Sequence, residues 1–336
     1  MLPGIVVVTG ASAGVGRATA VEFGRHGWRV ALIARGADGL QAACAEVEHA
    51  GGEAMAIVAD VADQPQVEAA AERVEREWGP IAVWVNNAMA TIFCEALAIA
   101  PDDFRRATEV TYLGTVWGTM AALKRMKARD EGTVVQVGSA LAYRSIPLQA
   151  PYCGAKSAIR GFTDSLRSEL IHDKSRVHIT MVQLSAFNTP QFDWGRTCMP
   201  NKPKPLGKIF QPEVAARSIY WAATHRRREW WVGFPALEAI LGTRLLAGYL
   251  DRRLAFQAYE GQQSADPVAP GRRDNLYQPV TGEHRTHGRF DASAVGWSWE
   301  FWLSKRRVPA AACALVLGAV AWRAVGHSAR AGSGRK

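Results

Sequence analysis

Apolar and polar positions alternate along the first 185 residues in two rhythms. Short apolar runs at 5–8, 29–34, 53–58, 81–85, 133–137 and 178–183 have the pattern of strands covered on both faces. Ile5-Val6-Val7-Val8 is the plainest, four residues without a polar break. Between the runs lie longer stretches such as 64–78 and 102–129, with apolar residues three and four apart, which predict amphipathic helices. The alternation predicts an α/β fold, a doubly wound parallel sheet with its ligand at the carboxyl ends of the strands. A helix at 213–224 and a strand at 229–232 are expected to complete a single catalytic domain over 1–258, long enough to bury a full core. No internal repeat is visible.

The rhythm fails at 190–212, a stretch rich in Pro and Lys, and again at 259–302, rich in Gly, Pro, Asp and Arg. The second stretch reads as an extended or disordered linker. His284 and His287 fall there and read as solvated loop residues, so no metal site is expected.

The formal charge of +9 is uneven. Residues 303–336 hold seven Lys and Arg and no Asp or Glu, which leaves +2 for the rest. The basic balance therefore belongs to the tail and says little about the partners of the catalytic domain. No recognition motif accompanies it, so nucleic acid is excluded as a partner. In the tail, Trp297, Trp299, Phe301 and Trp302 precede Lys305-Arg306-Arg307 and the apolar run 308–322. Aromatics and cations flanking an apolar stretch suit a membrane anchor, and 308–325 is a candidate span near the lower length limit of about 17 residues. A helix lying on the membrane surface, or packed in an oligomer interface, is the alternative. The first strand begins almost at Met1, and the five cysteines show no paired spacing. Both point to a reducing, cytoplasmic compartment, with the tail holding the domain at the membrane face.

Candidate chemistry enters at the turn after the first strand, Thr9-Gly10-Ala11-Ser12-Ala13-Gly14-Val15-Gly16. Glycines at a strand-to-helix turn let backbone amides approach a pyrophosphate, and the helix N-terminus favours its charge. The spacing is TGxxxGxG, distinct from GxGxxG. The second strand ends Ile33-Ala34-Arg35-Gly36, with no carboxylate to hold ribose hydroxyls. Arg35 forks well onto a 2′-phosphate, with Ser12 adding a hydroxyl, so NADP(H) is favoured over NAD(H). Further along stand Ser139 and, one helical turn apart, Tyr152 and Lys156. A free tyrosine, with a pKa of about 10, is a poor base near neutrality, and an adjacent ammonium lowers that value. Cys153 faces away from Tyr152 on the helix and reads as packing.

These elements, with Asp60-Val61, Asn86-Asn87-Ala88 and Tyr152-Cys153-Gly154-Ala155-Lys156, resemble the short-chain dehydrogenase/reductase family over residues 2–190. The resemblance implies a Rossmann-type sheet, with Thr9, Gly10, Ser12, Ala13, Gly14, Val15, Gly16, Asp60, Val61, Asn87 and Ala88 at the cofactor. It also implies that Lys156 grips the nicotinamide ribose, that Thr189 meets the nicotinamide amide, and that 190–212 is a substrate lid. Ser139 then orients the substrate oxygen while Tyr152 serves as general acid/base. Helices near 102–129 and 157–172 are expected to build a homo-oligomer.

Three departures stand out. Thr111 occupies the position of the family's fourth catalytic residue, an Asn; Met89 replaces a Gly; and Ser185-Ala186 replaces Pro-Gly. Thr lacks the amide's second donor, which puts a water-linked proton relay in doubt. The expected function is an NADP(H)-dependent oxidoreductase interconverting an alcohol and a carbonyl on a small, lipophilic substrate. Its rival is a nucleotide-binding sensor or scaffold without turnover.

Overall fold

The computed structural model describes residues 3–306. In chain order the first half comprises β1 (Ile5–Thr9), α1 (Gly14–Arg25), β2 (Arg29–Ala34), α2 (Ala37–His49), β3 (Glu53–Val58), α3 (Gln64–Trp78), β4 (Ile81–Asn86) and β5 (Ile92–Phe93). Then come α4 (Pro101–Thr108), α5 (Gly114–Arg129), β6 (Thr133–Ser139), α6 (Ala150–His172) and β7 (His178–Leu184). After β8 (Ala186–Phe187), the stretch expected as a lid, 190–212, holds α7 (Gln191–Trp194), β9 (Arg196–Thr197), β10 (Asn201–Pro203) and β11 (Ile209–Phe210). The chain closes with α8 (Pro212–Thr224), β12 (Glu229–Val232), α9 (Phe234–Gly261), β13 (Gln263–Pro267) and α10 (Trp299–Ser304).

Seven strands form one parallel sheet in the order β12-β7-β6-β4-β1-β2-β3. Alternate residues of β1 enter different cores: Ile5 and Val7 pack with Val67, Val74 and Leu123, while Val6 and Val8 pack with Phe23, Leu40 and Ile219. Both faces are covered, α3 and α5 lying on one side and α1, α2 and α8 on the other, and this explains why the strand is apolar up to its last residue, Thr9. Predicted and observed strands agree to within a residue or two at each end.

Three expectations need correction. The helix expected over 102–129 is broken by a π-turn at Glu109–Leu113. The expected linker at 259–302 is not free chain: β13 pairs antiparallel with β10, and 272–290 are bonded across the carboxyl edge of the sheet. The cysteines are not all unpaired, because Cys94 and Cys198 form a disulfide that ties the loop after β4 to the lid. The compartment argument drawn from them falls with it. Cys153 is buried against the Ile146 carbonyl, as packing requires. Among the described residues, no helix is long and apolar enough to cross a membrane; the candidate span 308–325 lies outside them. Lys305, at the start of the tail, stacks over the Trp221 and Phe301 rings (4.3 and 4.6 Å).

Candidate active site

A cavity of about 670 Å³ runs along the carboxyl ends of the strands. Its floor is the glycine turn. Gly10 and Gly14 have φ of +66° and +55°, a conformation open to residues without a Cβ. A Cβ on Gly16 would stand 2.2 Å from the Gly10 carbonyl oxygen and 2.5 Å from Asn87 Nδ2. The turn is thus a bare cradle of backbone. In the first turn of α1 the leading N–H groups lack intrahelical acceptors. Gly14 donates to the Arg285 carbonyl (3.2 Å), and Val15 and Gly16 line the cavity. This donor set fits a pyrophosphate.

All the predicted site residues line this cavity except Thr9 and Thr111. Thr9 acts from beneath. Its hydroxyl donates to the Val85 carbonyl and accepts from the N–H groups of Asn87 and Ala88 (3.0 and 3.1 Å), locking the ends of β1 and β4 together. Asn87 reaches back to the carbonyls of Thr9 and Gly10 (3.0 and 3.2 Å), whereas Asn86 belongs to a buried network with Trp84, Thr119 and Gln136. Asp60 is held by Arg106 and accepts from the Ala62 N–H (3.0 Å), while Val61 packs on Gly114. Thr189 stands beside Gly14, whose Cβ would lie 3.1 Å from its methyl.

At the other end Ser139, Tyr152 and Lys156 converge. Ser139 closes β6, and its Oγ accepts from the Leu141 N–H (3.1 Å). Tyr152 and Lys156 sit one turn apart on α6, the ammonium 5.6 Å from the ring centroid. Lys156 Nζ donates to the Val137 carbonyl (2.6 Å) and is 3% exposed. Burial lowers its pKa to about 8. Burial raises the Tyr152 phenol to about 12, opposed by a hydrogen bond from Ser139. Desolvation, not the Lys156 ammonium, sets the direction of this shift. The phenol therefore stays neutral near pH 7, with the Lys156 ammonium 5.6 Å from its ring centroid.

Thr111 does not line the cavity. Its hydroxyl accepts from the Ala90 N–H (2.9 Å) and donates to the Ala90 carbonyl (3.0 Å), so both bonds are committed to the loop after β4. Its own carbonyl accepts from Thr115 Oγ1 (2.9 Å). The hydroxyl's single proton is thus committed to the Ala90 carbonyl.

Arg35 stands half-buried at the cavity wall, with both terminal guanidinium nitrogens engaged. They bond the backbone carbonyls of Asn275, Leu276 and Tyr277. Sequence reasoning missed this segment, together with His284, because no local pattern marks it. It also missed α9, which kinks at Leu246 and brings Pro235, Leu250 and Leu254 to the cavity opposite Phe187, Phe192 and Leu206. His284 and His287 are half-buried and partnered rather than free in solvent. His284 packs on Trp194 (5.0 Å), and His287 bridges Glu213 and Asp291 (2.8 Å each). Among the described residues, no group of three metal-ligating side chains occurs.

The geometry has clear counterparts. The family described as short chain dehydrogenase matches residues 4–194. An uncharacterized oxidoreductase of Bacillus subtilis (strain 168), YxnA, is 29% identical over 95% of this chain and 90% of its own. The 17-beta-hydroxysteroid dehydrogenase 13 of Rattus norvegicus is 30% identical over 64% of this chain and 69% of its own. Among solved structures, a metagenomic short-chain oxidoreductase in complex with NADP covers 68% of this chain and 96% of its own, at 25% identity and a TM-score of 0.58. An alcohol dehydrogenase from the archaeon Thermococcus sibiricus, complexed with 5-hydroxy-NADP, covers 68% and 95%, at 26% identity and a TM-score of 0.59. With its Rossmann-type sheet, glycine cradle and converging Ser, Tyr and Lys, this chain belongs to the short-chain dehydrogenase family of oxidoreductases.

Proposed function

We propose that this protein interconverts an alcohol and a carbonyl on a small, lipophilic substrate, with NADP(H) as hydride carrier. One observation carries the reading: Ser139, Tyr152 and Lys156 share a cavity with the glycine cradle, so proton and hydride chemistry meet in one place. When bound, the nicotinamide supplies or accepts the hydride. The chain's own residues do the rest. Ser139 Oγ orients the substrate oxygen, and Tyr152 gives it a proton during reduction or takes one during oxidation. Lys156, held by the Val137 carbonyl, supports the phenol electrostatically and reaches the ribose side of the site. Apolar walls at Phe187, Phe192, Leu206, Leu250 and Leu254 support a lipophilic substrate, as does the steroid dehydrogenase name of the rat relative. The NADP(H) preference rests on Arg35 at the end of β2, on the absence of a carboxylate there, and on the NADP named for the metagenomic structure.

Two associations belong to the proposal. Residues 303–336 hold the protein at a membrane. The helices α4 to α6, which leave Phe104, Met120 and Ile171 exposed, supply a homo-oligomer face, and sedimentation velocity checks it: a monomer at micromolar concentration refutes that part. The proposed cytoplasmic placement no longer has the cysteines in its support, given the disulfide.

A nucleotide-binding protein without turnover remains the second reading, favoured by the loss of Thr111 from the site. Titration with NADPH and NADH, followed by a panel of carbonyl compounds, separates the two. Turnover by any member, reduced by Tyr152→Phe by about 10²-fold or more while cofactor affinity survives, is the expected result. Binding with no turnover across the panel would establish the sensor.

A further inference from the structure

The segment over 272–290 crosses the cofactor groove as a strap, fastened at three places. At its first end Asp274 accepts from Arg196 Nε (2.9 Å) and from the Leu276 N–H (3.0 Å). This turn aims the carbonyls of Asn275, Leu276 and Tyr277 at the Arg35 guanidinium. The Tyr277 hydroxyl donates to Asp103 (2.9 Å), and its ring lies under Arg196. In the middle, His284 fills a notch left by Gly39, where a Cβ would stand 2.7 Å from the imidazole Nδ1. Beside it the carbonyls of Glu283 and Arg285 accept from Arg17 Nη1 (2.7 Å) and the Gly14 N–H (3.2 Å). At the far end Gly288 and Phe290 donate to the backbone and side chain of Asn188 (3.2 and 3.0 Å). Asn275, Pro279, Val280 and His284 wall the same cavity as Arg35.

We propose that the strap and a 2′-phosphate compete for Arg35, so that the strap reports and selects which dinucleotide is bound. The inference rests on the nicotinamide-cofactor reading above. A residue at the end of the second strand is the one that meets the 2′ position of the adenosine ribose. Here its guanidinium is occupied by three carbonyl oxygens, whose partial negative charges face the place a phosphate would take. A 2′-hydroxyl has no quarrel with that arrangement and leaves the strap latched. A 2′-phosphate carries full charge and forms the stronger, forked pair with a guanidinium, so it lifts the three carbonyls away. The bonds at Asn188 do not involve Arg35, so the movement is confined to the first end of the strap.

Linkage gives this a reciprocal form: whatever loosens the strap must tighten the phosphorylated cofactor by the same factor and leave the other nearly unchanged. The test is hydrogen–deuterium exchange over 270–290 in the full-length protein, with saturating NADPH, saturating NADH, or neither. It is paired with fluorescence titration of both cofactors. NADPH is expected to speed exchange at 274–278 relative to NADH. Asp274→Ala, which removes the turn from outside the cavity, is expected to tighten NADPH by on the order of 10-fold while NADH stays within about twofold. Tyr277→Ala gives a second, exposed route to the same selective gain should Asp274→Ala not fold. Equal protection under both cofactors, with affinities that shift together or not at all in the variants, would overturn the competition. Failure of both dinucleotides to bind would instead sink the functional reading itself.

Discussion

Burial pulls the two titratable groups of the candidate active site apart, the Tyr152 phenol up to about 12 and the Lys156 ammonium down to about 8. The lysine has a consequence for stability. The folded protein sheds the Lys156 proton near pH 8, whereas an unfolded chain keeps it to the ordinary 10.5. Between those values the unfolded state binds more protons, so raising the pH favours the folded state, by up to about 3 kcal/mol across the window. Urea unfolding at pH 7.5 and 9.5 should show the parent gaining about 2 kcal/mol more than Lys156→Met over that interval; the same change in both would refute it. The identity of this pair was legible in the sequence, because type and spacing are local facts. Its electrostatics were not, since desolvation depends on what surrounds the side chain. Thr111 makes the same point. Its place in the chain matches a catalytic position, but its two bonds to Ala90 are visible only once β4 and α5 are folded together.

At the scale of elements, the sheet strands were legible because both faces of the central ones are covered, so that β1 runs Ile5-Val6-Val7-Val8 and β4 Ile81-Ala82-Val83-Trp84-Val85 without a polar break. The π-turn at Glu109–Leu113 was not, as its residues are as compatible with a helix as their neighbours. The lid and the strap were illegible for a different reason: the lid's ladders are only two or three residues long, and neither segment has a periodic face. Arginines hold them instead. Arg272 donates to the carbonyls of Phe192, Asp193 and Gly195, Arg289 to those of Phe192 and Pro203, and Arg106 to that of Leu276. What reads as a disordered composition in the sequence is a set of donors for irregular backbone. The disulfide adds a covalent tie, with Cys94 and Cys198 separated by 104 residues. Closing a loop of that length stabilises by about 4–5 kcal/mol in the chain-entropy account, and removal of a native disulfide costs about 2–5 kcal/mol. Cys198→Ser, or reductant added to the parent, should therefore lower the urea midpoint and expose the lid to thermolysin. An unchanged cleavage pattern would show that the lid holds without the tie.

For the whole molecule, the match to the family ends at residue 194, yet the cavity is walled by side chains as late as His284. Removing residues 307–336 tests the other extension: membrane pelleting should fall while NADPH affinity stays within about twofold, because the strap contacts end before the cut. Equal pelleting of both forms would refute the anchor. The strap also bears on how the protein is made. Arg35 meets Leu276 across 241 positions of chain, and Arg17 meets Glu283 across 266. Synthesis proceeds from the N-terminus, and early segments fold first. The glycine cradle and the sheet around it thus emerge from the ribosome well before the segment that covers them. A nascent chain therefore holds that groove uncovered until residues 272–290 have emerged, and a dinucleotide bound in that interval, on the function proposed above, would be covered by the strap as it docks.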